Sequence, residues 1–330
     1  MDFTPAWFLR GPHAQSIWGR LVRPRRRVTS RREALQTPDG DELIVDHLDA
    51  PDASVHFILL HGLEGSTNSV YIQGTLAAIA ARGQSATAIN FRSCARDPRE
   101  LSRMLPNRRP RFYHSGETED LDFVVRTMAA RMPDTPLVTF GASLGGNATL
   151  KWLGEHPGQK LIAAAATLSV PYDLGAGAAY LERGAGPLYV NRFLKTLKTK
   201  VLRVIEEFPD TRLDVDRVMR SRTFREFDDV ATAPLHGFAD ADDYYRRSSS
   251  LQYLSRITTP TLCVSADDDP FLPSEVLDRA RAEASPFIEF RITRGGGHVG
   301  FISGVAPWRC VYWAEELAVN WLLEKVESEA

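Results

Sequence analysis

The chain has 330 residues, 43% hydrophobic and 25% charged, with a formal net charge of −2 at pH 7. That balance suits one large domain with an insertion, or two domains, and gives no global pull toward nucleic acid. The three cysteines, Cys94, Cys263 and Cys310, lie far apart without C-x-x-C spacing, which argues against a disulfide framework or a zinc site and for a reducing cytoplasm.

From the N-terminus, Met1-Asp2-Phe3-Thr4-Pro5 is not a basic region leading into an apolar core, so no secretory leader is expected. No run of about 18 apolar residues marks a membrane span. Residues 1–32 form an arm expected to pack on or near the main body, with Trp7, Phe8 and Trp18 as apolar contacts. Its arginines Arg20, Arg23, Arg25, Arg26, Arg27, Arg31 and Arg32 read as a solvated face, with contact to an anionic membrane surface as the functional alternative. After the Pro38-Asp39-Gly40 turn, Glu42–Asp49 reads as an edge strand, and Val55–Leu60 as a buried central strand ending at His61-Gly62. A helix is predicted over Tyr71–Arg82, a strand over Ser85–Phe91, a helix over Glu117–Met132, then a strand over Leu137–Phe140 and a helix over Asn147–Glu155. Strands at Ala163–Ser169, Thr261–Ser265 and Ile288–Thr293 complete the set. Strands alternating with helices imply right-handed crossovers and the α/β class, a mainly parallel twisted sheet covered on both faces.

From residue 171 to 250 the rhythm breaks. No convincing strand occurs there, but Tyr189–Phe208 puts Leu194, Leu197, Val201, Leu202 and Ile205 on one helical face. The span reads as a helical cap inserted into a core made of residues 33–170 and 251–330. A cap at that point would lie above the carboxyl ends of the strands, where open α/β sheets bind ligands.

Between a strand and a helix, Gly141-Ala142-Ser143-Leu144-Gly145 has the form G-x-S-x-G, that of a nucleophile elbow. A serine at so sharp a turn is held with strained backbone angles, and the glycines two before and two after it let strand and helix approach without a Cβ clash. Ser143 is a poor nucleophile unless a neutral imidazole takes its proton during attack. His298, in the loop Gly295-Gly296-Gly297-His298-Val299-Gly300-Phe301, is the candidate base. Asp269 in Asp267-Asp268-Asp269-Pro270-Phe271-Leu272-Pro273 is the candidate orienting acid, with Asp268 as the rival. The order serine, aspartate, histidine along the chain is that of α/β-hydrolases, whereas other serine-hydrolase folds use different orders. The oxyanion of an acyl-transfer intermediate needs preplaced donors. The N–H of Leu144 is one, and that of Leu63 in His61-Gly62-Leu63-Glu64-Gly65 is the other. His61 precedes the serine and reads as a brace for this loop.

These motifs resemble those of the α/β-hydrolase superfamily and, within it, of the YheT-like hydrolases, a branch of predicted esterases. The similarity extends from Arg10-Gly11-Pro12-His13-Ala14-Gln15-Ser16-Ile17-Trp18 through His61–Ser66, Asn90-Phe91-Arg92, Tyr113–Asp120 and Gly141–Gly146 to Phe224–Asp229 and Asp243-Tyr244-Tyr245. The chain departs from that pattern at Ser93-Cys94, where Gly-Cys is usual, and at Gly11 and Ala14, where Asn and Leu are usual. The resemblance implies an α/β-hydrolase fold with Ser143, Asp269 and His298 on the triad positions. It also implies a small-molecule carboxylic ester, acyl or lipid-like, as substrate, with no cofactor or metal. An acyltransferase or thioesterase on the same triad is the alternative chemistry, and a catalytically silent binding protein the alternative class. Dehalogenase and epoxide hydrolase chemistry is disfavoured, because those relatives carry aspartate at the elbow.

Overall fold

A computed structural model describes residues 2–23, 28–97, 99–100 and 103–329. It opens with helix α1 (Pro12–Val22) and strands β1 (Arg31–Gln36), β2 (Glu42–Leu48) and β3 (His56–Leu60). Helix α2 (Val70–Ala80), strand β4 (Ser85–Ile89), helix α3 (Glu119–Arg131), strand β5 (Leu137–Ala142), helix α4 (Leu144–Glu155) and strand β6 (Ile162–Leu168) follow in alternation. Next come α5 (Leu174–Tyr180), α6 (Gly186–Glu207), α7 (Val215–Arg220), α8 (Phe224–Phe227), α9 (Ala233–His236) and α10 (Ala241–Ser248), with a π-helical turn over Asp228–Thr232. The chain closes with β7 (Thr261–Ala266), α11 (Ser274–Glu283), β8 (Ile288–Thr293), the hairpin β9 (Ile302–Ala306) and β10 (Arg309–Tyr312), and α12 (Trp313–Glu329).

The main sheet has the order β1-β2-β4-β3-β5-β6-β7-β8. Strand β2 runs antiparallel to both β1 and β4, and every later pairing is parallel. The parallel strands are apolar on both faces because helices cover both. In β3, Ile58 and Leu60 join one core with Val124 and Leu150, while Phe57 and Leu59 join the other with Leu76 and Val319. This is the period-two alternation of a strand buried on both sides.

Two expectations are corrected. Glu42–Asp49 is not an edge, because β1 pairs outside it from Arg31↔His47 to Gln36↔Glu42. The reason is that Arg31-Arg32-Glu33-Ala34-Leu35-Gln36 buries only Leu35, so the strand is held by its ladder and carries little hydrophobic signal. Trp7 is 66% exposed, not a core residue, although its indole N–H donates to the Val305 carbonyl at 3.1 Å. Phe8 and Trp18 do pack inward, against Ala6, Leu9 and Ile302.

Among the described residues of the basic run, Arg23, Arg31 and Arg32 have acidic partners within the chain. Arg23 grips Glu315 at 2.5 and 2.7 Å, Arg31 pairs with Asp49, and Arg32 with Asp46. Arg25, Arg26 and Arg27 lie outside the described residues. Among the described residues no helix is long and apolar enough to cross a membrane. In the loop where the sequence departs from Gly-Cys, Ser93 occupies the left-handed region at φ 62°, where glycine is the easier occupant, and its N–H is held by Asn107 Oδ1 at 2.7 Å.

Candidate active site

Ser143 stands between β5 and α4 with φ 53° and ψ −120°, a strained conformation for a side chain with a Cβ. The turn tolerates no bulk on either flank. A Cβ on Gly141 would lie 2.5 Å from the Gly145 carbonyl oxygen, and one on Gly145 would lie 2.6 Å from that of Leu60. Helix α4 consequently begins at Leu144, immediately after the serine and three residues earlier than the hydrophobic pattern indicates.

The structure brings together Ser143, His298 and Asp269. Ser143 Oγ is 2.9 Å from His298 Nε2, and His298 Nδ1 is 2.9 and 3.1 Å from the two carboxylate oxygens of Asp269. Asp269 is buried, and its Oδ1 also accepts from the Phe271 N–H at 2.9 Å. Phe271 stacks on the imidazole with ring centroids 4.3 Å apart, fixing the ring plane. Asp268 has another task. Its Oδ1 accepts the Gly297 N–H at 2.8 Å, so it ties down the glycine loop that carries His298. Burial, together with Asp267 and Asp269 alongside, pushes the Asp268 carboxyl above the usual range.

The loop after β3 sits against the serine so closely that a Cβ on Gly62 would lie 3.0 Å from Ser143 Cβ. Its peptides are pinned on both sides of Leu63. The Gly62 N–H donates to Tyr71 Oη at 2.8 Å and the Glu64 N–H to Tyr113 Oη at 2.5 Å. Leu144, as the first residue of α4, has an N–H with no intrahelical acceptor. His61 is fully buried, and burial pushes its imidazole down to about 3. Its Nε2 accepts from the Phe91 N–H at 3.1 Å, so its Nδ1–H donates to the Gly62 carbonyl at 2.7 Å. A neutral histidine held at both nitrogens is a brace for the loop.

Several contacts at the site escaped the sequence reading. The His298 N–H donates to Ser16 Oγ at 2.8 Å and the Val299 N–H to Ser169 Oγ at 3.0 Å. Gln15 bridges to Ile302, accepting its N–H at 2.7 Å and donating to its carbonyl at 3.0 Å. Lys200 of α6 reaches Glu64, next to Leu63. Gln15 and Ser16 fall within the Arg10–Trp18 motif, the signal that could have found them.

A cavity of about 740 Å³ opens onto Ser143 and His298. Leu174, Ala178, Leu181, Phe193, Leu197 and Phe227 line it from the helices between β6 and β7. This stretch of the wall is apolar, while Ser143, His298 and Glu64 are among the polar residues that also line the cavity.

A family model for the α/β hydrolase fold matches residues 55–305. The chain is 34% identical to the YheT protein of Escherichia coli (strain K12), the match covering 100% of this chain and 95% of that one. It is 31% identical to the phospholipase ABHD3 of Mus musculus, across 93% of this chain and 74% of the mouse protein. Among solved structures, the Pyrococcus furiosus esterase Pf2001 has a TM-score of 0.54 at 15% identity, covering 100% of this chain and 96% of that one, a likeness of fold. With that fold, and with 34% identity along its whole length, the chain belongs to the YheT-like branch of the α/β-hydrolase family, among its esterase- and lipase-type members.

Proposed function

We propose that the protein is a serine hydrolase that cleaves carboxylic esters through an acyl-enzyme, with Ser143 as nucleophile, His298 as general base and Asp269 as the orienting acid. The observation that carries this reading is the continuous line Asp269 Oδ2, His298 Nδ1, His298 Nε2 and Ser143 Oγ, with both gaps at 2.9 Å. Asp269 keeps a proton on Nδ1, so Nε2 is the free base. As Ser143 Oγ attacks the carbonyl carbon, Nε2 takes its proton, and Asp269 stabilises the imidazolium formed. The N–H groups of Leu63 and Leu144 receive the oxyanion, each such donor contributing about 2.7–4 kcal/mol. The imidazolium then protonates the leaving alkoxide as its bond to carbon breaks. Water, activated by the same imidazole, attacks the acyl-enzyme and releases the acid and free Ser143.

We read the helices of residues 171–250 as a cap over the 740 Å³ cavity, and that cavity as the seat of an acyl or lipid-like chain. The mouse relative's name, a phospholipase, points the same way. Helix α1, in the segment read as an N-terminal arm over residues 1–32, meets the histidine loop through Ser16. Cys94, Cys263 and Cys310 are free thiols, which suits a reaction in the reducing cytoplasm.

Ser143→Ala tests the reading. It should abolish turnover of short p-nitrophenyl esters and labelling by a fluorophosphonate probe, and retention of either by the pure variant rejects it. Alcohol and thiol acceptors added to the wild-type assay separate hydrolysis from acyl transfer.

A further inference from the structure

Lys200 and Glu64 form an ion pair inside the molecule, with Nζ and Oε1 2.5 Å apart and side chains only 2% and 7% exposed. Lys200 lies within α6, whereas Glu64 follows Leu63 in the loop beside the serine. The Glu64 backbone is in the left-handed region at φ 55°, which a glutamate keeps only where its surroundings hold it. Tyr113 supplies part of that hold. Its hydroxyl accepts the Glu64 N–H at 2.5 Å and donates to Oε1 at 3.0 Å, the oxygen that Lys200 also grips. Lys200 Nζ lies 3.1 Å from Cys94 Sγ and 4.7 Å from the Tyr113 ring centroid. Burial pushes the Cys94 thiol up to about 11, which leaves the Glu64 carboxylate as the partner of the ammonium.

A buried ammonium stripped of its counter-ion is strongly destabilising. Helix α6 and the loop over residues 61–65 are therefore joined as one mechanical unit. Phe193 and Leu197 of the same helix line the cavity, as do Leu63 and Glu64. The Lys200–Glu64 pair thus links the part of the cavity wall formed by α6 to the loop that carries the Leu63 N–H.

We propose that Lys200, Glu64 and Tyr113 are positioning residues for the oxyanion loop, setting the Leu63 amide from helix α6. The proposal rests on the assignment of Leu63 as an oxyanion donor in an ester hydrolase. It requires the trio to act on the transition state more than on the bound substrate, so its loss lowers kcat and leaves KM nearly unchanged.

The experiment compares wild type with the double variant Glu64→Gln/Lys200→Met, which removes both buried charges together, and with Tyr113→Phe, which removes one hydroxyl and keeps the ion pair. Each is measured for thermal midpoint, for kcat and KM on a p-nitrophenyl ester, and for affinity to a trifluoromethyl ketone that forms an oxyanion on Ser143. The double variant should lose about 10- to 100-fold in kcat with KM within about threefold, below the loss of about 10²–10³ for deleting a donor outright. Tyr113→Phe, which removes both hydrogen bonds of that hydroxyl to Glu64, should lose about 3- to 10-fold, the low end of what two such bonds are worth. Ketone affinity should fall in step with kcat. A folded Tyr113→Phe or double variant with kcat and ketone affinity within twofold of wild type overturns the proposal. If the double variant does not fold, Tyr113→Phe decides alone. Ser143→Ala, assayed in parallel, reports separately on the hydrolase assignment, since an active Ser143→Ala enzyme removes that assignment whatever the trio does.

Discussion

The backbone N–H of His298 donates to Ser16 Oγ at 2.8 Å, joining the histidine loop to helix α1 across 282 residues of sequence. The hydroxyl of Ser16 is itself anchored, donating to the Pro12 carbonyl at 2.7 Å. The backbone orientation of His298 is thus set by a helix from the other end of the chain.

Ser16→Ala removes the acceptor for that N–H and keeps the helix. A lost hydrogen bond of this kind is worth about 0.5–1.5 kcal/mol. The expected result is a fall in kcat of roughly 2- to 10-fold with a small change in thermal midpoint, read by steady-state kinetics beside a melting curve.

Asp269 and Asp268 are adjacent in sequence but serve different partners, so their amide variants should differ sharply. Asp269→Asn cannot hold the Nδ1–H tautomer and should lower kcat by about 10⁴, the effect of the same change in a serine-protease triad. Asp268→Asn still offers a carbonyl oxygen to Gly297 and should keep kcat within about tenfold. Equal losses in the two variants would contradict the division of roles.

Ala178 on α5 is a small residue in the cavity wall. Ala178→Phe should shorten the seat for an acyl chain while leaving the reacting groups untouched. Each methylene displaced from apolar contact costs about 0.8 kcal/mol, or roughly fourfold in kcat/KM. A panel of p-nitrophenyl esters from two to twelve carbons, about the span that tests a chain pocket of this size, should show the optimum moving to shorter chains with acetate turnover preserved.

Asp228, in the π-helical turn at the cavity, accepts hydrogen bonds from Thr232 Oγ1 at 2.6 Å and Tyr245 Oη at 2.8 Å. Burial overrides both and pushes its carboxyl up to about 7 from the ordinary 3.8. A raised native value means that the folded state binds the proton more tightly than the unfolded chain. The resulting stability is fully present below about pH 4 and is lost as pH rises through 7. Asp228→Asn removes this dependence, so its thermal midpoint should gain on wild type between pH 5 and pH 8. The gain corresponds to about 1.4 kcal/mol for each pH unit crossed below the native value. Parallel melting curves across that range check the sign.

The elbow was legible because its constraint is local. Gly141 and Gly145 are demanded by backbone atoms a few residues away or on the adjoining strand, so the steric requirement is written as G-x-S-x-G around Ser143. The parallel strands were legible for a similar reason, since burial on both faces produces unbroken apolar runs such as Phe57-Ile58-Leu59-Leu60. Strand β1 was not legible, because its ladder to β2 uses backbone groups that every residue carries, and its side chains are mostly half-buried or exposed.

Taken alone, the sequence determined the class of fold, the serine at the turn and the order of the three chemical groups, and it placed His61 as a brace for the loop after β3 without showing what holds it. Those features follow from periodicity, glycine sterics and residue chemistry, all of which are properties of short segments. Only the tertiary structure decided which aspartate meets His298, that Ser16 holds the histidine loop, and that Lys200 grips the residue beside Leu63. Adjacent aspartates are chemically identical until a folded loop points one of them at the ring. A contact across 136 or 282 residues has no spacing to reveal it, because its energy comes from burial and geometry that exist only once the chain has closed on itself.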